Sequence, residues 1–256
     1  MKLCLNTHNL AGEKTLDQII ELCVKNGIGG IEFSIGYGHK HGVEFDTDAK
    51  TLNGMAEKIM NAGLETVSIA SYCRFDGQEN QELDKNLKLA KRGIECARHM
   101  KGKFFRFVGN DLPPFISRDD FILRVSKYMS DLADYAADLG VEVLLNMHGT
   151  FNYRHDVGKL IEITNKINTG LVYNCDDGDI IGGSLDIVLD RIGNYVKHIH
   201  MHELAAGYPY TELFKRMKKQ GYKGWYSIVV DDPSSELERF IVYYTKLARA
   251  YYDLAI

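Results

Sequence analysis

A glycine stands just ahead of seven of the eight β-rich runs in this chain: Gly27, Gly63, Gly102, Gly140, Gly170, Gly193 and Gly221. The runs are Lys2–Thr7, Gly30–Ser34, Thr66–Ser71, Phe104–Val108, Glu142–Met147, Leu171–Cys175, Val196–His200 and Tyr226–Val230. Most of these glycines follow a stretch with helical apolar spacing, where a left-handed C-terminal cap favours a residue without a Cβ. Leu16, Ile19, Ile20, Cys23 and Val24 form one such stripe in Thr15–Lys25, and Asp120–Leu139 carries another on Phe121, Val125, Tyr128, Met129, Leu132 and Leu139. A recurring helix–glycine–strand unit implies parallel strands joined by right-handed crossovers. Eight units in 256 residues predict one domain over residues 1–256, a (β/α)8 barrel of the TIM type with a C-terminal helix. A doubly wound open sheet is the alternative, but no Gly-x-Gly-x-x-Gly follows the first strand to support it.

Charge narrows the partners. There are 31 basic and 35 acidic side chains, a formal net charge of -4, and no basic stripe of the kind that binds nucleic acid. The five cysteines, at 4, 23, 73, 96 and 175, include no C-x-x-C pair, which argues against a disulfide framework or a zinc–cysteine site and suits a reducing cytoplasm. The opening residues lose apolar character at Asn6 and His8, too soon for a signal peptide, and no apolar run reaches the ~18 residues of a membrane span. A cytoplasmic protein acting on a small molecule is expected, with neither nucleic acid nor membrane as partner. The last segment, Ser234–Leu254, opens with a helix-start signature at Ser234 and Glu236. Its stripe of Leu237, Ile241, Tyr244, Leu247 and Tyr251 reads as packing on the barrel, with a homodimer contact as the other use of its tyrosines.

In such a barrel the site lies at the C-terminal mouth, so the inward polar residues of the strand ends are the candidates. Alternation puts Asn146 and His148 on one face of strand five, Asn174 and Asp176 on one face of strand six, and His198, His200 and His202 on one face of strand seven. Asp231 and Asp232 end strand eight, and Asn6, His8, Glu32, Ser71, Arg74 and Arg106 come from the earlier strands. A lone strand-end His or Asn is commonly structural, but three imidazoles on one strand face need partners. His198 lies deepest and reads as core, which leaves His200 and His202 as the functional pair. His39 and His41, in Gly-Tyr-Gly-His-Lys-His-Gly, read as solvated loop histidines. Asp177 and Asp179 read as orienting a substrate hydroxyl or a histidine, or as helix caps.

His148-Gly149, Val196-Lys197-His198-Ile199-His200, Tyr208-Pro209-Tyr210-Thr211-Glu212-Leu213-Phe214 and Gly221-Tyr222-Lys223-Gly224-Trp225-Tyr226 together resemble the xylose-isomerase-like barrels, the sugar phosphate isomerase/epimerase-like proteins. The resemblance runs from end to end. It implies one divalent cation (Mn, Mg, Co or Zn) held by a Glu, an Asp, a His and a Glu on strands five to eight. That cation would polarise a sugar's oxygens while a carboxylate moves a proton α to the carbonyl. This chain departs from that pattern. His200 fills the histidine position, but Asn146, Asn174 and Val229 stand at the other three, a two-residue slip bringing Asp176 to the strand-six position. A rearranged site on His200, His202, Asp176 and Asp231 is the remaining way to hold a metal.

The expected function is an isomerase or epimerase-like protein acting on a sugar, sugar phosphate or hydroxy-keto acid, with a degenerate metal site. His200 and His148 would be the acid/base pair, since imidazole titrates near neutrality. Asn146, Asn174, His202 and Asp231 would bind substrate, with Arg106 or Arg74 anchoring an anion. A catalytically silent metabolite-binding relative is the alternative. A metal-dependent endonuclease is weaker still, because the glutamates and the basic face it needs are missing.

Overall fold

The computed structural model describes residues 1–10, 14–231 and 236–256. Eight strands alternate with eight α-helices: β1 Lys2–Asn6, α1 Leu16–Asn26, β2 Gly30–Ser34, α2 Ala49–Asn61, β3 Glu65–Ala70, α3 Asn80–His99, β4 Phe104–Val108, α4 Arg118–Ala137, β5 Glu142–Asn146, α5 Arg154–Thr164, β6 Thr169–Asn174, α6 Asp186–Ile192, β7 Val196–Met201, α7 Tyr210–Lys219, β8 Trp225–Ile228 and α8 Leu237–Leu254. The strands form one closed parallel barrel in chain order, and pairing of Lys2 with Trp225 through Leu5 with Ile228 closes β1 onto β8. The expected (β/α)8 barrel with its C-terminal helix is therefore the fold. Ser234 and Asp232, proposed from sequence as the helix opening and a strand end, lie outside the described residues.

Local chemistry explains the boundaries. Thr15 caps α1, accepting from the Gln18 backbone N–H while the Gln18 side chain accepts from the Thr15 N–H. Gly27 ends the helix at φ 63°, its N–H reaching back to Cys23 and Val24, and Gly63, Gly140 and Gly221 adopt the same left-handed conformation. Three of the seven glycines do something else. Lys101 takes the left-handed position beside Gly102, Asn165 takes it at the end of α5, so that Gly170 lies inside β6, and Gly193 continues at a helical φ of −56°. No helix among the described residues is long and apolar enough to cross a membrane.

The barrel interior has an apolar floor and a polar layer above it. Cys4, Val67, Phe104, Leu144, Val172 and Trp225 form a buried cluster of their own, apart from the larger core between strands and helices. Gly30 belongs there because a Cβ would sit 2.5 Å from Val67 and 2.9 Å from Trp225. Two residues further along five of these strands, on the same face but nearer the C-terminal mouth, stand Asn6, Arg106, Asn146, Asn174 and Ser227. The side-chain period of two thus switches the barrel from oil to hydrogen bonds in one step. α8 covers the outside against α1, α7 and β8. Its tyrosines work within the chain: Tyr244 donates to Glu203, Tyr251 to the Leu204 carbonyl, and Tyr252 packs on Phe214 and Tyr226.

Candidate active site

The polar layer is organised by a residue of β2. Glu32 is fully buried, and one carboxylate oxygen, Oε2, faces four donors from three strands: His200 Nε2 at 2.9 Å, Asn6 Nδ2 at 3.0 Å, Ser227 Oγ at 3.1 Å and His198 Nε2 at 3.2 Å. The other oxygen, Oε1, lies 4.0 Å from Arg106 Nε, and neither atom has a hydrogen bond among the described residues. Arg106 is 3% exposed, donates from Nη1 to the Ser71 carbonyl and lies 5.3 Å from the Tyr72 ring. Burial alone would raise the Glu32 carboxyl; the two imidazoles beside it outweigh that and hold it well below the usual carboxylate range. Burial also pushes His200 down, to about 4, so at neutral pH a neutral imidazole meets an ionised carboxylate.

Toward solvent, β5, β6 and β8 contribute a second group. Asn146 is 7% exposed and its amide oxygen is buried without a partner among the described residues. His202, just past β7, bridges the barrel rim: Nε2 lies 2.7 Å from Asn174 Oδ1 and Nδ1 lies 2.7 Å from Asp231 Oδ2. Of the proposed site residues, Asn174, His202 and Asp231 are therefore joined by hydrogen bonds, His200 pairs with Asn174 in the β6–β7 register, Asn146 ends the neighbouring strand β5, and Arg106 lies on β4 next to β5. The structure does not join the other two to them. His148 is exposed at the start of a 3-10 turn, and Asp176 is exposed and accepts from the Gly178 N–H, capping the turn Asp177–Asp179. Asp179 is buried; its Oδ2 accepts from Asp176 N and from Tyr208, and burial pushes it up to about 6.

The opposite wall is aromatic. His8, Tyr37, His39 and Tyr72, from the ends of β1, β2 and β3, pack at tilted or edge-on angles with ring centres 5.3–6.3 Å apart, and Tyr72 meets His8 Nδ1 at 3.2 Å. His39 and His41 are not solvated loop residues: they are 9% and 1% exposed, and the Nε2 of each is buried without a partner among the described residues. The turns at Gly36, Gly38 and Gly42 and the capture of the Gly36 and His39 N–H groups by Glu44 fold that loop inward. Burial lowers both imidazoles, His41 to about 3. Arg74 is largely exposed and faces Asp76 at 3.5 Å rather than the mouth.

A search against family models matches residues 20–241 to the xylose isomerase-like TIM barrel. The chain belongs to that family. No curated protein sequence matches it. Among solved structures, the IOLI protein with a bound zinc atom is 17% identical, with a TM-score of 0.79 over 100% of this chain and 98% of that one. An L-ribulose 3-epimerase is 18% identical, with a TM-score of 0.78 over 100% and 94%. The 3-keto-D-glucoside 4-epimerase YcjR from E. coli is 18% identical, with a TM-score of 0.74 over 96% and 99%. At these identities the likeness speaks for the xylose isomerase-like fold.

The metal of such barrels finds a poor donor set here. Of the four positions that the resemblance assigns, Val229 is buried and offers no donor, Asn174 spends its oxygen on His202, and only the Asn146 oxygen is unpartnered. No carboxylate stands among them, so the positive charge of a divalent cation would go unbalanced, and the residues do not fit it. Among the described residues, the one group with ligand atoms all within 4.8 Å is Glu32, His198 and His200, deep in the barrel. Sequence reasoning named Glu32 only in passing. The available signal was a glutamate in the middle of an otherwise apolar five-residue strand, Gly-Ile-Glu-Phe-Ser, which demands buried partners.

Proposed function

We propose that this chain is an isomerase or epimerase-type enzyme that moves a proton α to the carbonyl of a sugar or related hydroxy-carbonyl metabolite, without the four-ligand metal site of its family. The observation that carries the reading is His200: burial holds it neutral in the same polar layer that contains the buried amide oxygen of Asn146, which has no partner among the described residues. A neutral imidazole is competent to take a proton. Asn146 and Asn174 would bind substrate hydroxyls, His202 and Asp231 would fix the rim, and Arg106, on β4 next to β5, would face a developing negative charge. His148, exposed on its turn, would complete the acid/base pair only by approaching the bound substrate. The epimerases among the structural neighbours support a small carbohydrate as substrate class, and the acidic balance of the chain supports neither nucleic acid nor an acidic surface as partner.

The test is solvent-deuterium exchange into a panel of ketoses and keto acids, with the purified protein treated with chelator. Exchange that His200→Gln reduces by about 100-fold supports the reading, the usual scale for one general base. No exchange into any compound, with binding retained, favours a silent metabolite-binding relative. The combined variant Asn146→Glu, Asn174→Asp, Val229→Glu should bind Mn or Zn more tightly than the natural chain, and unchanged affinity would break the assignment of those positions.

A further inference from the structure

A carboxylate has no proton to give, so an imidazole nitrogen 2.9 Å from Glu32 Oε2 must be the donor. A neutral histidine has one N–H. In His200 that hydrogen therefore sits on Nε2, and the lone pair is left on Nδ1. His198 Nε2 lies 3.2 Å from the same oxygen, but its Nδ1 is buried with no partner among the described residues. Two imidazoles on one strand thus share one carboxylate, and His200, two residues nearer the C-terminal mouth and 3% rather than 0% exposed, is the one a substrate in the mouth would reach first.

Glu32 is itself held from several directions. Asn6 on β1 and Ser227 on β8 add donors to Oε2, and Arg106 on β4 faces Oε1. Four donors exceed the lone pairs of one oxygen, so the carboxylate keeps its place even when one of them turns away. Such a fixed carboxylate is what an acid/base histidine needs to remain in one tautomer and one orientation.

We propose that Glu32 is the positioning residue of this site: through Oε2 it fixes His200 as the Nε2–H tautomer, so that Nδ1 is the proton-accepting atom of the mouth. The proposal rests on the reading of His200 as the base. Glu32 touches no substrate; it acts through His200.

The first measurement is 15N-histidine NMR on the intact natural chain, with the His200 signals identified by their loss in His200→Gln. The expected result is a protonated Nε2 and an unprotonated Nδ1 on His200 at neutral pH; the opposite tautomer overturns the proposal. The second uses Glu32→Gln, whose amide offers a donor as well as an acceptor to His200. It should give a mixed or reversed His200 tautomer and a 10- to 100-fold loss of deuterium exchange, the range for an orienting carboxylate. Glu32→Asp, which keeps the charge, should restore the Nε2–H tautomer and part of the rate. A folded Glu32→Gln with natural tautomer and natural rate overturns the proposal, and if that variant does not fold, the spectrum of the natural chain decides. If His200→Gln leaves exchange intact, the catalytic reading fails, while the tautomer result still stands or falls by itself.

Discussion

Two carboxylate–histidine pairs, whose histidines stand two residues apart on β7 and just past it, behave differently. Glu32 with His200 lies inside the barrel, where neither side chain exceeds 3% exposure. Asp231 with His202 lies on the rim, with side chains 47% and 23% exposed. The contact distances, 2.9 and 2.7 Å, would rank the rim pair first. Burial reverses the ranking, because water screens and competes for the outer pair while the inner one has only its neighbours. The inner pair therefore fixes protonation states, and the outer pair fixes loops. Removing one inner partner should show the largest effect in the molecule. Glu32→Ala strands a 3%-exposed Arg106 and removes the common acceptor of two imidazoles, so a loss of about 3–5 kcal/mol is expected by chemical denaturation. A loss below about 1 kcal/mol would mean that the inner pair is as dispensable as a surface one.

A third carboxylate sharpens the contrast, since Asp179 is buried beside hydroxyls rather than imidazoles. Its carboxyl is pushed up to about 6, so the folded chain holds a proton there that the unfolded chain has released above about 4. That makes folding less favourable as pH rises from 4 to 6, with the deficit complete at neutral pH. His200 has the opposite sign: lowered to about 4, it must stay neutral in the fold, and stability is lost as pH falls from 6.5 toward 4. Glu32, also lowered, adds to that acid loss below its ordinary range. Asp179→Asn should therefore gain about 2 kcal/mol at pH 7. It should also lose stability more steeply than the natural chain between pH 6 and 4, because the compensating proton is gone. Urea midpoints at pH 4, 5, 6 and 7 measure both effects. Parallel curves for the two proteins would place Asp179 with the exposed acids.

The barrel floor offers a smaller test of the same logic. Gly30→Ala puts a methyl into space already held by Val67 and Trp225, and should cost about 1–3 kcal/mol although it alters no polar group. A comparable loss of deuterium exchange in this variant would mean that the polar layer depends on the floor beneath it; retained exchange separates the two.

How much of this was legible in the residues follows from what each signal depends on. The strand–helix alternation is local, written in apolar periods and capping glycines, and it led to the right barrel even though three of the seven glycines serve other purposes. The nearness of Asn174 to His200 and His202 followed from the period of two along parallel strands. The contacts of Glu32 did not, because its histidine partners are 166 and 168 residues away and only closure of β1 onto β8 brings β2 within reach of β7. The burial of His39 and His41 is hidden from the sequence for a related reason. Their loop is polar in composition, but Glu44 ties down its backbone and the imidazoles fold under Tyr37 and against Phe33.

The smallest expected effect belongs to the rim. Asp231→Asn keeps the shape and the hydrogen-bonding oxygen, and the pair is open to water, so the stability change should stay within about 1 kcal/mol. Its effect should appear elsewhere. His202 is also hydrogen-bonded to Asn174, so weakening its hold on Asp231 frees the imidazole and, with it, the amide proposed to bind substrate. If the outer pair positions loops rather than protons, Asp231→Asn should raise KM for an exchanging substrate several-fold and leave kcat nearly unchanged. A fall in kcat as large as that of Glu32→Gln, at unchanged KM, would erase the distinction between the two pairs and make Asp231 a proton-transfer group in its own right.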